Sequence, residues 1–451
     1  MKKSNKIKNK LFWPNSYSIG SNGSLNIGGQ DTVFLAKEWG TPLYIFDEIT
    51  IRDQCKIFHA ALDKYYPGKS AIHYASKAYL NTAIASVIKS EGLGFDVVSN
   101  GELSLVLRAG IKPSGIHFHG NAKTRDELER AIELSVGTII IDNIDELNIL
   151  INLSEQGEKV QNVAIRVTPA VDTKTHPHIQ TGHRTSKFGV PLELLEHAVE
   201  QTIPSKNLKL VGLHFHIGSQ IEDVEPYIAS LHVLLDLYVL IKEKYNITLS
   251  EISPGGGLGI VYNENDKPVG INDFIEVISK TVVKGCKKRN LVLPKLVLEP
   301  GRTIVARSCI ALYSVIATKY IPGNDTKKPV QYVHIDGGMG DNIRPSLYNA
   351  RYSASLANRF NNDATNLVKI SGRYCESGDI LIHEVPMPKD VGIGDIVVVP
   401  AVGAYTLSMA NNYNMVPRPA VLMIGKEKVQ LIQRRETEED LFARDIPLNS
   451  N

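Results

Sequence analysis

The chain has 451 residues, too many for one ordinary domain and enough for a barrel with a smaller companion. Hydrophobic residues make up 43% and charged ones 22%, which excludes a disordered or fibrous chain. A formal net charge of +2 gives no basis for nucleic acid or a membrane as partner. The cysteines, Cys55, Cys286, Cys309 and Cys375, are far apart and form no Cys-x-x-Cys pair, which suits a reducing cytoplasm. No apolar window approaches the ~20 residues of a membrane span. The lysines of the opening MKKSNKIKNK have no apolar core behind them, so that start reads as a solvated tail and not as a signal peptide.

Short apolar runs rich in Val, Ile and aromatics follow in chain order: Ala71–Tyr74, Phe95–Val98, Gly115–His119, Thr138–Ile141, Val163–Val167, Leu210–His216, Leu249–Ile252 and Lys295–Leu298. Helical spacing separates them, over Gly101–Arg108, Arg125–Leu134, Ile144–Leu153, Leu192–Gln201, Tyr227–Lys244 and Phe274–Lys288. Strands alternating with helices imply parallel pairing, and eight such units predict an α/β fold of the (β/α)8 barrel type. The competing arrangement is an open doubly wound sheet, whose dinucleotide version is disfavoured because no Gly-x-Gly-x-x-Gly follows the first run. After about Ala306 the pattern changes. Ile310–Ala317, Val330–Ile335, Leu367–Ile370, Asp395–Pro400 and Val421–Leu431 read as strands between Gly, Pro and Asp turns, with one helical stretch near Tyr352–Phe360. The expected organisation is an N-terminal segment over 1–44 packing with the β-rich part, a barrel over 45–306, and a β-rich C-terminal domain over 307–451.

Barrel enzymes carry their reactive groups at the C-terminal ends of the strands. Here those ends read HYASKA with Lys77, then Asp96 and Ser99, HFHGNAK, LHFHIGSQ, SPGGGLG and LEPGR. Gly255, Gly256, Gly257 and Gly259 follow the seventh run and Gly301 the eighth, where barrels bind phosphate; Ser219 after the sixth offers a hydroxyl. A lysine at a strand tip is expected to be partly desolvated, which makes it a nucleophile towards carbonyls. With the phosphate loops and the carboxylate of Glu299 it describes a pyridoxal phosphate pocket, in which Glu299 keeps the pyridine nitrogen protonated.

The histidines support a rival. His117 with His119, and His214 with His216, share a strand face, and a His-x-His pair can bind zinc in a metal-dependent barrel hydrolase. That leaves Lys77 and the glycine loops unexplained. His117 and His214 are expected to be hydrogen-bonded core residues, and His216, nearest the tip, to stack on the cofactor ring. No metal is expected.

The segments HYASKA, GFDVVSNGEL, HFHGNAK, TGHRTSKFG, LHFHIGSQI, PGGGLGIVY, EPGR, GDNIRPSLY, YCESGD and GAYTLSMANNYN resemble the fold-type III pyridoxal phosphate decarboxylases, the family of the diaminopimelate, ornithine and arginine decarboxylases. The resemblance runs from about Thr41 to Leu441. It implies Lys77 as the Schiff-base lysine, His216 over the ring, and Glu299 opposite the pyridine nitrogen, with Asp96 in the same pocket. It places the phosphate among Ser219, Gly257, Gly301 and Arg302, with Tyr405. It makes Cys375 a proton donor supplied by the partner subunit of a homodimer with shared sites, in the cytoplasm. Arg302, Arg344, Tyr348, Glu376 and Tyr405 would contact substrate. Diaminopimelate, with an amino acid group at each end, needs a cation and an anion for the unreacted end. Arg344 offers a bidentate fork and Glu376 the anion. The Cys-Glu order of CESGD, against Cys-Asp in the polyamine-type enzymes, therefore favours decarboxylation of diaminopimelate to lysine, the last step of lysine biosynthesis. An ornithine- or arginine-type decarboxylase is the alternative.

Overall fold

A computed structural model describes residues 10–169, 186–324, 328–360, 364–426 and 428–448. The lysine-rich start up to residue 9 and the first five residues of TGHRTSKFG, 181–185, lie outside the described residues. The chain divides into two compact units, one of Arg52–Ile260 with Lys267–Ile304, the other of Met1–Ile51, Val261–Asp266 and Val305–Asn451.

The first unit is the barrel. Its strands are β1 (Ser70–Ala75), β2 (Gly94–Val97), β3 (Ile116–Phe118), β4 (Thr138–Ile141), β5 (Gln161–Thr168), β6 (Leu208–His214), β7 (Glu251–Ser253) and β8 (Lys295–Leu298). All neighbours pair in parallel, in the order 5-6-7-8-1-2-3-4, and β4 pairs with β5 through Ile139 opposite Val163, which closes the ring and excludes the open sheet. Each of the eight expected runs is a strand. They form here because residues such as Phe95, Val97, Ile139, Ile141, Ile165 and Leu298 are covered on both faces, the barrel interior on one side and helices on the other. Several tips pass straight into capped helices. Asn81 accepts from the Ile84 amide, Ser99 from Glu102 and Asn143 from Glu146, and Thr124 forms a capping box with Glu127. These caps fix where each connecting loop ends, and so where its strand-tip residues stand.

The second unit is β-rich. Its sheet runs Ile380–Met387, Asn366–Ser371, Val330–Ile335, Cys309–Ile321, Leu43–Asp47, Ala420–Ile424, Val429–Gln433, with Ile396–Pro400 also pairing on Cys309–Ile321. N-terminal pieces belong to this unit. Leu43–Asp47 lies between Cys309–Ile321 and Ala420–Ile424, and the Leu25 amide donates to Ala357 O at 2.8 Å. Two expectations are corrected. Val421–Leu431 is not one strand but a hairpin turning at Gly425. Tyr352–Phe360 is not helical. Ser355 and Leu356 pair with Val398 and Val397, the Ala357 amide donates to Ile396 O at 2.7 Å and the Phe360 amide to Gly23 O at 2.9 Å. Tertiary pairing overrides local propensity there. The short helix of this region is Arg344–Tyr348, with a proline in its first turn. No helix among the described residues is long and apolar enough to cross a membrane.

Candidate active site

Eight of the candidate residues lie in the barrel unit: Lys77, Asp96, His216, Ser219, Gly257, Glu299, Gly301 and Arg302. All but Asp96 lie within a few residues past the end of a strand, and Asp96 is the penultimate residue of β2. Lys77 sits in the turn after β1. The expected desolvation is corrected, because Lys77 is exposed, so burial does not supply its reactivity. Its charge is nevertheless felt by both Asp96 and His216.

The interior under the strand tips is unusually polar. His73, Asp96, His117, His119, Arg166, His214, Ser253 and Glu299 are all buried. His73 and His117 pack ring on ring at 3.8 Å, and His119 meets His214 edge-on at 5.0 Å. Burial holds the His73, His117 and His119 rings neutral. It pushes His73 down to about 4 and His117 and His119 well below the ordinary histidine range. His214 is hydrogen-bonded, as expected, to Glu299 at 2.9 Å. His117 departs from expectation, since its Nδ1 is buried without a hydrogen-bond partner in the structure.

Glu299 also accepts from Ser253 Oγ at 2.8 Å, and its carboxyl lies well below the usual range although it is buried, because the adjoining His214 and His119 rings and the hydrogen bonds from His214 and Ser253 favour the anion. His216 is half-buried. The Gly256 amide donates to its Nδ1 at 3.4 Å, so the ring proton is on Nε2, and burial together with the Lys77 charge keeps the ring neutral.

Arg302 is buried, and its Nη2 donates to Ser219 Oγ at 2.9 Å, so a guanidinium and a hydroxyl meet across the tips of β6 and β8. The glycines earn their places by close backbone approach. A Cβ on Gly256 would stand 2.1 Å from Glu299 O, and one on Gly257, whose φ is +103°, 2.2 Å from Gly218 O. The residues fit pyridoxal phosphate. They supply a primary amine for its aldehyde, an ionised buried carboxylate for its ring nitrogen, and a cation with a hydroxyl beside side-chain-free backbone for its phosphate. Among the described residues, Asp96, His117, His119 and Glu299 bring potential ligand atoms within 4.8 Å of one another, but both Glu299 oxygens already accept hydrogen bonds.

The remaining candidates, Arg344, Tyr348, Cys375, Glu376 and Tyr405, lie in the β-rich unit. Three loops interlock there. The Met339 amide donates to Asp379 Oδ1 at 2.7 Å, the Cys375 amide to Asn414 Oδ1 at 2.9 Å, and the Asn411 amide to Gly340 O at 2.8 Å. The buried Asp341 carboxylate ties the first loop down by accepting from Tyr313 at 2.5 Å, Tyr44 at 2.9 Å and the Gly338 amide at 2.9 Å. Arg344 is buried with its guanidinium 5.0 Å over the Tyr262 ring and 5.6 Å over Tyr352, whose hydroxyl accepts from Nη1 at 2.5 Å; its Nε has no hydrogen-bond partner in the structure. Cys375 and Glu376 are exposed and Tyr348 is half-buried. Tyr405 takes a φ of +60°, a strained conformation for a bulky residue and a common mark of a functional loop. Sequence reasoning missed His73, Arg166 and Ser253. Ser253 stood within the quoted SPGGGLG, and inward parity on its strand was the signal for Arg166.

A parallel barrel with an amine, a carboxylate and an anion pocket at its strand tips is an enzyme scaffold for pyridoxal phosphate chemistry, and the chain belongs to the pyridoxal-dependent decarboxylases. The model of that family's pyridoxal binding domain matches residues 49–306. Within it, the chain is similar to the diaminopimelate decarboxylase of Bacillus subtilis, 40% identical over 95% of this chain and 96% of that one. It is also 40% identical to the diaminopimelate decarboxylase of Synechocystis, over 97% of this chain and 93% of the relative. The crystal structure of diaminopimelate decarboxylase from M. jannaschii in complex with L-lysine superposes with a TM-score of 0.88, at 34% identity over 96% of this chain and 98% of that one.

Proposed function

We propose that this chain is a carboxy-lyase that converts meso-diaminopimelate to L-lysine and CO2 with pyridoxal phosphate as cofactor. The observation that carries the reading is the buried Glu299, kept ionised by a donor on each carboxylate oxygen, at the same strand ends as Lys77. Bound there, the cofactor supplies an electron sink for the pair left behind when CO2 departs. Lys77 holds its aldehyde and Glu299 its ring nitrogen, with Asp96 beside them. His216 covers the ring face, and Ser219, Gly257, Gly301 and Arg302, with Tyr405, hold the phosphate.

At the substrate, Arg344 takes the carboxylate of the unreacted end in its guanidinium fork and Glu376 the ammonium, with Arg302, Tyr348 and Tyr405 completing the contacts. Cys375 then delivers a proton from its thiol to the α-carbon. Its exposure in the single chain supports a donor that acts outside its own unit, and we assign it to the site of a partner chain in a cytoplasmic homodimer. In this scheme the barrel binds the cofactor, and the β-rich part completes the site and the dimer interface. The test is to supply the purified holoenzyme with meso-diaminopimelate, ornithine and arginine. Lysine and CO2 should form rapidly from the first and very slowly, if at all, from the others. Faster turnover of ornithine overturns the assignment.

A further inference from the structure

Two buried carboxylates, Glu299 and Asp96, face each other in the barrel interior, and their hydrogen-bond donors differ. Glu299, just beyond β8, has a donor on each oxygen, Ser253 Oγ at 2.8 Å and His214 Nε2 at 2.9 Å. Asp96, on β2, has an Oδ1 with no hydrogen-bond partner. His119 Nε2 stands between the two, 3.6 Å from Asp96 Oδ1 and 3.7 Å from Glu299 Oε1, too far to donate well to either. Burial disfavours the charge on both, and each repels the other. The outcome is unequal, since Asp96 lies well above the usual carboxylate range and Glu299 well below it.

The donors are built in by the strands. His214 ends β6 and Ser253 ends β7, and the two are register partners, so both side chains leave the sheet at one level beside the tip of β8. The Gly255 amide donates to Ser253 Oγ at 3.1 Å, which occupies a lone pair of that hydroxyl and leaves its hydrogen for Glu299. A carboxylate only accepts, so His214 must carry a proton on Nε2. Asp96 also feels the charges of Lys77, which favours its anion, and of Glu102, which disfavours it, while the cation of Arg166 is balanced by Asp142 at 3.4 Å.

We infer that Ser253 and His214 are positioning residues that place the interior's negative charge on Glu299 instead of Asp96, and thereby keep the cofactor's ring nitrogen protonated. This rests on the pairing of Glu299 with that nitrogen proposed above. Neither residue touches substrate. They act through Glu299, and without them the anion has no fixed seat opposite the ring.

The experiment uses holoenzyme reconstituted with pyridoxal phosphate carrying an NMR-active isotope at its ring nitrogen. The solid-state shift of that nitrogen is recorded for wild type, Glu299→Gln, Ser253→Ala with His214→Phe, and the donor-retaining Ser253→Thr. Wild type and Ser253→Thr should show a protonated nitrogen, and Glu299→Gln an unprotonated one. The double variant should follow Glu299→Gln, with kcat down about tenfold or more and KM little changed. Should the double variant fail to fold, Ser253→Ala alone is read, with a partial shift in the same direction expected. A nitrogen that stays protonated without the two donors, while Glu299→Gln deprotonates it, overturns the inference and leaves the pairing intact. A nitrogen unmoved even in Glu299→Gln overturns the pairing and the inference with it.

Discussion

Replacing Arg344 by alanine removes a cation that is only 6% exposed and held by two tyrosine rings and one tyrosine hydroxyl. Each ring contact is worth about 0.5–1 kcal/mol, so stability should fall by about 1–2 kcal/mol and the chain should still fold. The larger effect belongs to the substrate. A hydrogen bond to a charged partner is worth about 1.5–3 kcal/mol, and a fork that loses its carboxylate should cost about 2–3 kcal/mol of transition-state stabilisation. That is a fall of about 30- to 150-fold in kcat/KM for meso-diaminopimelate. L-Lysine is the control, because it shares the ammonium of the unreacted end and lacks the second carboxylate. CO2 release should be measured for both substrates with wild type and Arg344→Ala. The loss should fall on meso-diaminopimelate, while the slow turnover of lysine stays within a few-fold. An equal loss on both substrates would mean that Arg344 serves only to brace its loop, and a loss below about fivefold on meso-diaminopimelate would mean no contact at all.

Acid should destabilise the barrel through its neutral histidines. His73 is pushed down to about 4 from an ordinary 6.5, so the unfolded chain binds more protons between those values. Its share, up to roughly 3 kcal/mol, is lost as pH falls through that window. His73→Phe should therefore show a smaller acid shift of the urea midpoint than wild type, and an unchanged shift would refute this. Asp341 carries the opposite sign. Burial raises it to about 6, so its contribution is full below the ordinary 3.8 and is lost as pH rises through about 6. Asp341→Asn should flatten that part of the stability profile, read by the same unfolding series. Complementation tests the shared site. Lys77→Ala and Cys375→Ala dimers should each be nearly inactive, and after subunit exchange verified by mass should recover roughly a quarter of wild-type activity, since about half the dimers are mixed and each has one intact site. No recovery would assign Cys375 to its own chain's site.

The barrel was legible because its strands are buried on both faces, so runs such as TIII at Thr138–Ile141 stand out without alternation. In the β-rich unit the signal weakens. Ile380–Met387 contains His383, Glu384 and Pro386 at positions that the sheet leaves exposed or half-covered, and it did not read as a strand. Tyr352–Phe360 has helical composition, but its amides are claimed by strands distant in sequence. The candidate site was legible where one residue at a strand tip suffices, as with Lys77 and Glu299. It was not legible where the chemistry depends on neighbours across strands. Ser253 and His214 meet Glu299 only through the register of β6, β7 and β8, and Lys77 is exposed because the strand tip, unlike the strand, is not covered.

Reduction with borohydride tests the central claim most directly. The purified holoenzyme should show an absorption band near the violet edge that borohydride removes, leaving the cofactor fixed to protein. Peptide mapping should then find the cofactor's mass on the peptide containing Lys77, and Lys77→Ala should lose both the colour and the activity. Cofactor fixed to any other lysine, or a colourless protein that decarboxylates nonetheless, would contradict it.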